Sequence, residues 1–260
     1  MDKITSILKI RLKQIQRKNV IIISTAISIA FLIVIFNSYD LFAKETAENL
    51  KTKYEIEHLG GDTPDRWPAW LIHDQPLSIK ITNPEEASSN QIVIIKEAIL
   101  SEEIVEADSM MRFGNDDSTT SYKGWVGALE SASTHDTVYR IPIEFKITDS
   151  NNPRDEISIT LTKQKSTEGY SGYTKSSTAN NHILKSAITI YDIDSLTDEQ
   201  LATITRHEFG HAMGLGHASS SNDLMHDIVK TPSFVSGCDI DEIQHVYNAE
   251  RNITFKCEIF

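Results

Sequence analysis

His207-Glu208-Phe209-Gly210-His211-Ala212-Met213-Gly214-Leu215-Gly216-His217 fills every specified position of the pattern H-E-x-x-H-x-x-G-x-x-H, and that stretch decides how the chain is read. Residues four apart on an α-helix lie one turn above each other, so His207 and His211 can offer their imidazoles to one ion. Glu208 lies beside them but slightly turned away, which suits a carboxylate that takes a proton from water and does not ligate. Gly214 can adopt the left-handed conformation that ends a helix and reverses the chain, and His217 then returns as a third ligand. Three neutral imidazoles leave one tetrahedral position open, the arrangement of a catalytic zinc site and not of a structural one. A bare H-E-x-x-H arises by chance on ordinary amphipathic helices; Gly214 and His217 in register set this string apart.

With Met225 following in Asn222-Asp223-Leu224-Met225, the string resembles the metzincin zinc peptidases, in which a methionine turn lies under the metal. Within them it is most similar to the matrixins, whose pattern is close to H-E-x-G-H-x-L-G-L-x-H. Asp239-Ile240-Asp241-Glu242-Ile243-Gln244-His245-Val246-Tyr247 resembles their last helix. The resemblance covers roughly residues 66–247 and is specific from Leu196 onward. It implies an α+β metzincin domain with a twisted mixed sheet, a long zinc-binding helix and a C-terminal helix. It also implies one catalytic Zn2+ on His207, His211 and His217, Glu208 as the catalytic base, and Met225 as a structural floor. The pattern decides neither for nor against a bound Ca2+ or an oligomer.

Three departures stand out. Ala218 precedes Ser219, where matrixins place serine directly after the third histidine. The cysteines, Cys238 and Cys257, both follow the motif, so no upstream thiolate can cap the metal as in the animal enzymes. The place that matches a ligand of their second zinc is Thr189, so that ion is expected to be absent. His135 and His182 read as solvated loop side chains.

The second strong feature is the uncharged run at residues 20–36, whose polar members are Ser24, Thr25 and Ser28. At about 1.5 Å per residue it spans most of a roughly 30 Å hydrocarbon core, and residues 37–43 extend it. It reads as a transmembrane anchor. A cleaved signal peptide is the alternative, but Leu41-Phe42-Ala43 is a poor cleavage site, and a buried core helix would need a polar face. Lys3, Lys9, Arg11, Lys13, Arg17 and Lys18 precede the run against Asp2, so the positive-inside rule puts residues 1–19 in the cytoplasm and the rest outside it. Those residues also fit an interfacial helix on anionic lipid.

Of 25 Lys+Arg and 37 Asp+Glu in 260 residues, six bases and one acid precede the run. The remainder therefore holds 19 against 36, a formal charge of −17. Such an acidic exterior speaks against nucleic acid as a partner. On the oxidising side of a membrane, Cys238 and Cys257 suit a disulfide around the last helix, stabilising by about 3 kcal/mol. Asn252-Ile253-Thr254 is a glycosylation pattern on the same side.

The hydrophobic content of 40% suits one sizeable core. The charged stretch 44–65, with Gly60-Gly61 and Pro64, reads as a stalk, and the peptidase domain as 66–260. Strands are expected at 77–81, 139–147, 157–162 and 183–191, and helices at 89–106 and from 124. Trp125 is a core residue. Thr197-Asp198-Glu199-Gln200 fits a capping box at the start of the zinc helix, and Gly210 within it points to close packing beneath the metal. By resemblance, Gly169-Tyr170-Ser171-Gly172-Tyr173 lies near the edge strand that pairs with substrate.

The expected function is a membrane-anchored zinc metalloendopeptidase cutting extracytoplasmic proteins or peptides. Two other readings stay open at this point: a catalytically silent surface-binding protein with the metzincin fold, and a zinc hydrolase of a non-protein amide.

Overall fold

Ile79, Ile157, Ile159, Leu161, Ile188 and Ile190 are fully buried, and the strands that carry them make the middle of one mixed sheet. The computed structural model describes residues 49–59, 67–72, 75–82, 86–105, 120–148 and 156–249, all within the unit Asn49–Phe260. The strands are β1 Leu50–His58, β2 Ala69–Trp70, β3 Leu77–Thr82, β4 Ile104–Val105, β5 Ser121–Tyr122, β6 Phe145–Thr148, β7 Ile157–Leu161, β8 Gly172–Ala179, β9 His182–Ile190 and β10 Ile228–Val229. The helices are α1 Ser89–Leu100, α2 Trp125–Ala132, α3 Asp198–Ala212 and α4 Gly237–Tyr247.

The main sheet runs β10-β1-β8-β9-β7-β3-β6, with β2 added to β9, and β4 pairs with β5 in a small ribbon. β3, β6, β7 and β9 are mutually parallel, β8 is antiparallel to β9, and β1 is parallel to β8. Helices α1 and α3 pack on each other, α3 rests on β8 and β9, and α2 packs on α4. The β8–β9 hairpin closes through Asn180 and Asn181, both at positive φ (52° and 60°), as a two-residue hairpin loop requires.

Several expectations need correction. The stretch read as a stalk supplies β1, which pairs with β8 from Thr52 through His58. Its charges, Lys51, Lys53, Glu55 and Glu57, occupy one face of a strand, while Leu50 and Thr52 are buried on the other. Period-two alternation was present there, masked by the net polarity of the segment. Helix α1 stops at Leu100, short of 106, because Ser101 turns extended. The carbonyls released beyond it are taken by Gly127 N and Lys123 N. The strand expected from 139 begins only at Phe145, since Tyr139 N donates to Tyr247 O at the end of α4. His182 opens β9, its ring edge-on to Tyr139, and so is not on a loop, whereas His135 is an exposed loop residue as expected. β8 was not foreseen as a strand.

Among the described residues no helix is long and apolar enough to cross a membrane. The run at 20–43, Cys257 and Asn252 lie outside them. Cys238, in the first turn of α4, is not a free thiol.

Both ends of α3 are capped. Thr197 Oγ1 accepts from Gln200 N, and the Gln200 side chain accepts from Thr197 N, the reciprocal box read from the sequence. At the far end the last carbonyls find donors from four places. Phe209 O takes Met213 N, Gly210 O takes Leu215 N, Ala212 O takes Trp70 Nε1 at 2.8 Å, and Met213 O takes the Tyr247 hydroxyl at 3.3 Å. Trp70→Phe leaves the Ala212 carbonyl without its donor and a small cavity where the larger indole stood, and is expected to cost about 2–3 kcal/mol in urea unfolding.

Candidate functional site

Helix α3 presents His207 and His211 on one face, and the chain then turns back through Gly214. Gly214 has φ +105°, and a Cβ there would collide with the carbonyl of Pro68. Glycine is therefore required both by the dihedral and by the close approach. The reversal returns His217 to the other two.

The ring nitrogens facing away from the cluster are anchored. His207 Nδ1–H donates to Leu224 O at 2.7 Å and His211 Nδ1–H to Leu215 O at 2.9 Å, which leaves Nε2 of both rings as a lone-pair donor. Ligating atoms of His207, His211 and His217 all lie within 4.8 Å of one another, and Nε2 of His211 is 3.2 Å from Nε2 of His217. Two nitrogens on one tetrahedral zinc stand about 3.3 Å apart.

His207 and His211 are 0% exposed, whereas His217 reaches solvent. Burial pushes His207 down to about 3, and burial with the neighbouring rings holds His211 well below the usual imidazole range. His217 is lowered as well, again by burial first. The rings are thus neutral at pH 7. Nε2 of His207 is buried with no partner, an arrangement that costs free energy unless a cation takes the lone pair. The donor set fits zinc.

Glu208 is 0% exposed and leans on β8. Its Oε2 accepts from Thr174 Oγ1 at 2.6 Å, and its Oε1 has no partner. A Cβ on Gly172 would occupy the space of that carboxylate. Burial pushes the Glu208 carboxyl well above the ordinary range, and the Thr174 hydrogen bond opposes that shift. Sequence reasoning placed Gly172 near the substrate-pairing edge but linked neither it nor Thr174 to Glu208. The pattern Gly-x-Thr at period two was their signal, and nothing apolar drew attention to it.

Met225 is fully buried and packs where a side chain on Gly210 would stand, so the glycine inside α3 makes room for the methionine. The turn that carries it is held on two sides: Ala218 N donates to Met225 O at 2.8 Å, and Met225 N donates to Asp223 Oδ1 at 2.8 Å. Buried Arg206 fixes the loop that follows, donating to Lys123 O and Ser233 O. Asp223 neighbours Asp239 of α4, where burial and the adjacent carboxyl hold Asp239 well above the usual carboxylate range. The structure thus brings together the three histidines and Glu208, and packs the Met225 turn against the helix that carries two of them.

The matrixin family model matches residues 106–248, more than half of the chain, and that match takes in α2, β6 to β9, α3, the Met225 turn and α4. The chain belongs to the matrixin family. No curated protein matches it. Matrixins are zinc-dependent metallopeptidases acting on polypeptides, and the clustered histidines of this matrixin are compatible with that metal.

Glu242 of α4 links this matrixin's C-terminal helix to the third histidine's loop, accepting from the backbone of Gly216. Burial raises its carboxyl to about 7, with Asp223 adding to the shift. A carboxyl raised in the folded state binds its proton more tightly there than in the unfolded chain. Its contribution is therefore fully present below the unfolded value near 4.5 and is lost as pH rises through about 7. Urea unfolding across that window should show Glu242→Gln losing less stability than the native chain, by on the order of 2 kcal/mol.

Proposed function

We propose that this matrixin is a zinc endopeptidase in which His207, His211 and His217 hold the metal and Glu208 is the general base. The observation that carries the reading is the convergence of three neutral imidazoles beside a buried carboxylate oxygen that has no partner. Bound there, zinc supplies Lewis acidity, polarising a peptide carbonyl and making water easier to deprotonate.

The chain's own groups do the rest. Nδ1 bonds to Leu224 O and Leu215 O fix the tautomers and ring planes of His207 and His211. Glu208 Oε1 takes the proton that water loses as it attacks the carbonyl, then gives it to the leaving amine nitrogen. Thr174 holds the other carboxylate oxygen and fixes its aim. The raised affinity of the buried carboxyl for a proton suits both transfers.

The proposed substrate is a polypeptide outside the cytoplasm, with residues 20–43 as the anchor and residues 1–19 inside. The charge pattern of the N-terminus supports this orientation. Cys238 and Cys257 are proposed to pair, which suits an oxidising compartment.

The test is cleavage of unfolded casein by the zinc-loaded full chain in detergent. Glu208→Gln should retain one zinc per chain while hydrolysis falls by about 10²- to 10⁴-fold; a purified variant that still cuts at the native rate would remove Glu208 from the mechanism. Thr174→Val should lower kcat about tenfold with KM unchanged, and Thr174→Ser should recover most of the loss. Impermeant labelling of Lys residues in intact cells tests the topology: labelling beyond residue 43 supports it, and protection there overturns it.

A further inference from the structure

We propose that β1 is an intramolecular plug in the peptidase cleft, so that the fold described here is a latent form that must release this strand before a polypeptide can be cut. The inference rests on the peptidase reading above and concerns how that site is restrained.

Position is the first argument. β8 carries Gly172 and Thr174, the residues that hold Glu208, and an extended peptide docks by pairing with an open strand edge. β8 has no open edge, because β9 pairs on one side and β1 on the other. The far side of β1 is occupied too: Leu50 pairs with Val229 and Lys51 with Ile228 of β10, and Thr52 N donates to Asp227 O. β1 therefore fills a slot between the strand behind the base and the segment that follows the Met225 turn.

Contact is the second. Thr52 Oγ1 lies 3.2 Å from Nε2 of His217, the nitrogen that the cluster directs at the metal, and donates its own proton to Asp227 O at 3.0 Å. Two residues on, the Tyr54 ring lies flat on the His211 imidazole, with centroids 4.4 Å apart and planes 12° apart. Trp67 stacks behind it at 6.4 Å. Glu208 and His211 have no exposed surface, whereas a peptide carbonyl and its attacking water have to reach both.

The strand is also built to leave. It precedes every other described element, so its departure unthreads nothing. Leu50 is the one apolar side chain of β1 that is fully buried. Its outward charges pair at the surface, Lys53 with Glu55 and Glu168 and Glu57 with Lys175, and exposed pairs of this kind hold weakly. Beyond the Thr52 and Tyr54 contacts at the histidines, β1 is retained by its backbone ladder and by polar contacts of Glu55 and His58 with β8, and a terminal strand held in this way can open locally.

The test uses the full chain in detergent with two readouts: acetohydroxamate binding to the cobalt-substituted protein by visible absorption, and casein cleavage by the zinc-loaded protein. Thr52→Pro with Tyr54→Gly removes the hydroxyl at His217, the ring on His211 and the bond to Asp227 O. If the native chain is open no more than about a tenth of the time, the double variant should bind hydroxamate and cut casein at least about tenfold better. Equal hydroxamate binding and equal cleavage in both chains would overturn the plug. Tighter hydroxamate binding with no cleavage by either chain would support the plug and remove the peptidase reading instead. A lock covers the case of a variant that does not fold. Glu57→Cys with Ser177→Cys joins a directly opposed pair across β1 and β8, away from the histidines. The oxidised lock should silence cleavage, and reductant should restore it relative to a native chain treated in the same way. An oxidised lock that cuts as fast as its reduced form overturns the proposal.

Discussion

Helix α3 has to stop after Ala212, and the geometry of the site follows from that stop. Four-residue spacing supplies two imidazoles, but a continuing helix would carry His217 away along its axis. The reversal needs a left-handed residue at 214 lying against the Pro68 carbonyl, and it needs donors for every carbonyl left behind. Trp70 and Tyr247 supply two of those donors from opposite ends of the domain. Strand β2 and the last helix are thus tied to the same helix end, and His217 is placed by residues far from it in sequence.

Burial gives the site its electrostatic character. Burial shifts the ionisable groups around it toward their uncharged forms: His207 and His211 are lowered, and the carboxyls of Asp239, Glu242 and Glu208 are raised. In a low-dielectric interior a dication placed among neutral nitrogens, next to a carboxyl of raised pKa, strongly favours ionisation of that carboxyl. The same burial that destabilises charge in the bare fold is what the proposed metal and base would draw on.

How much of this was legible depended on where the pattern was apolar. The zinc-helix motif, the Thr197 box, the Gly214 reversal and Met225 could be read because each rests on local geometry with fixed residue types. β3, β7 and β9 could be read because isoleucines mark alternate positions. β8 was missed because its buried face is Gly172, Thr174, Ser176 and Thr178, small polar groups satisfied by partners distant in sequence: Glu208 for Thr174, Ser186 for Ser176 and His58 for Thr178. No hydrophobic alternation announces a face whose polar atoms are paired only after folding. β1 was mistaken for a stalk for a related reason, since charges on its solvent face hid a strand whose inner face is Thr and Tyr as often as Leu and Ile.

The turn at Met225 is fastened by α3 and its own Asp223, and both it and the loop of His217 abut α4. His207 leans on the Leu224 carbonyl, Met225 on Asp223, and the loop of His217 on Glu242, while Asp223 is neighbour to Asp239. During synthesis the chain emerges with α3 and all three histidines some twenty to thirty residues ahead of the helix that braces them. The ligands are complete in sequence before they are rigid in space. The histidine motif thus leaves the ribosome before α4, and ordering of the cluster is expected to wait for that helix.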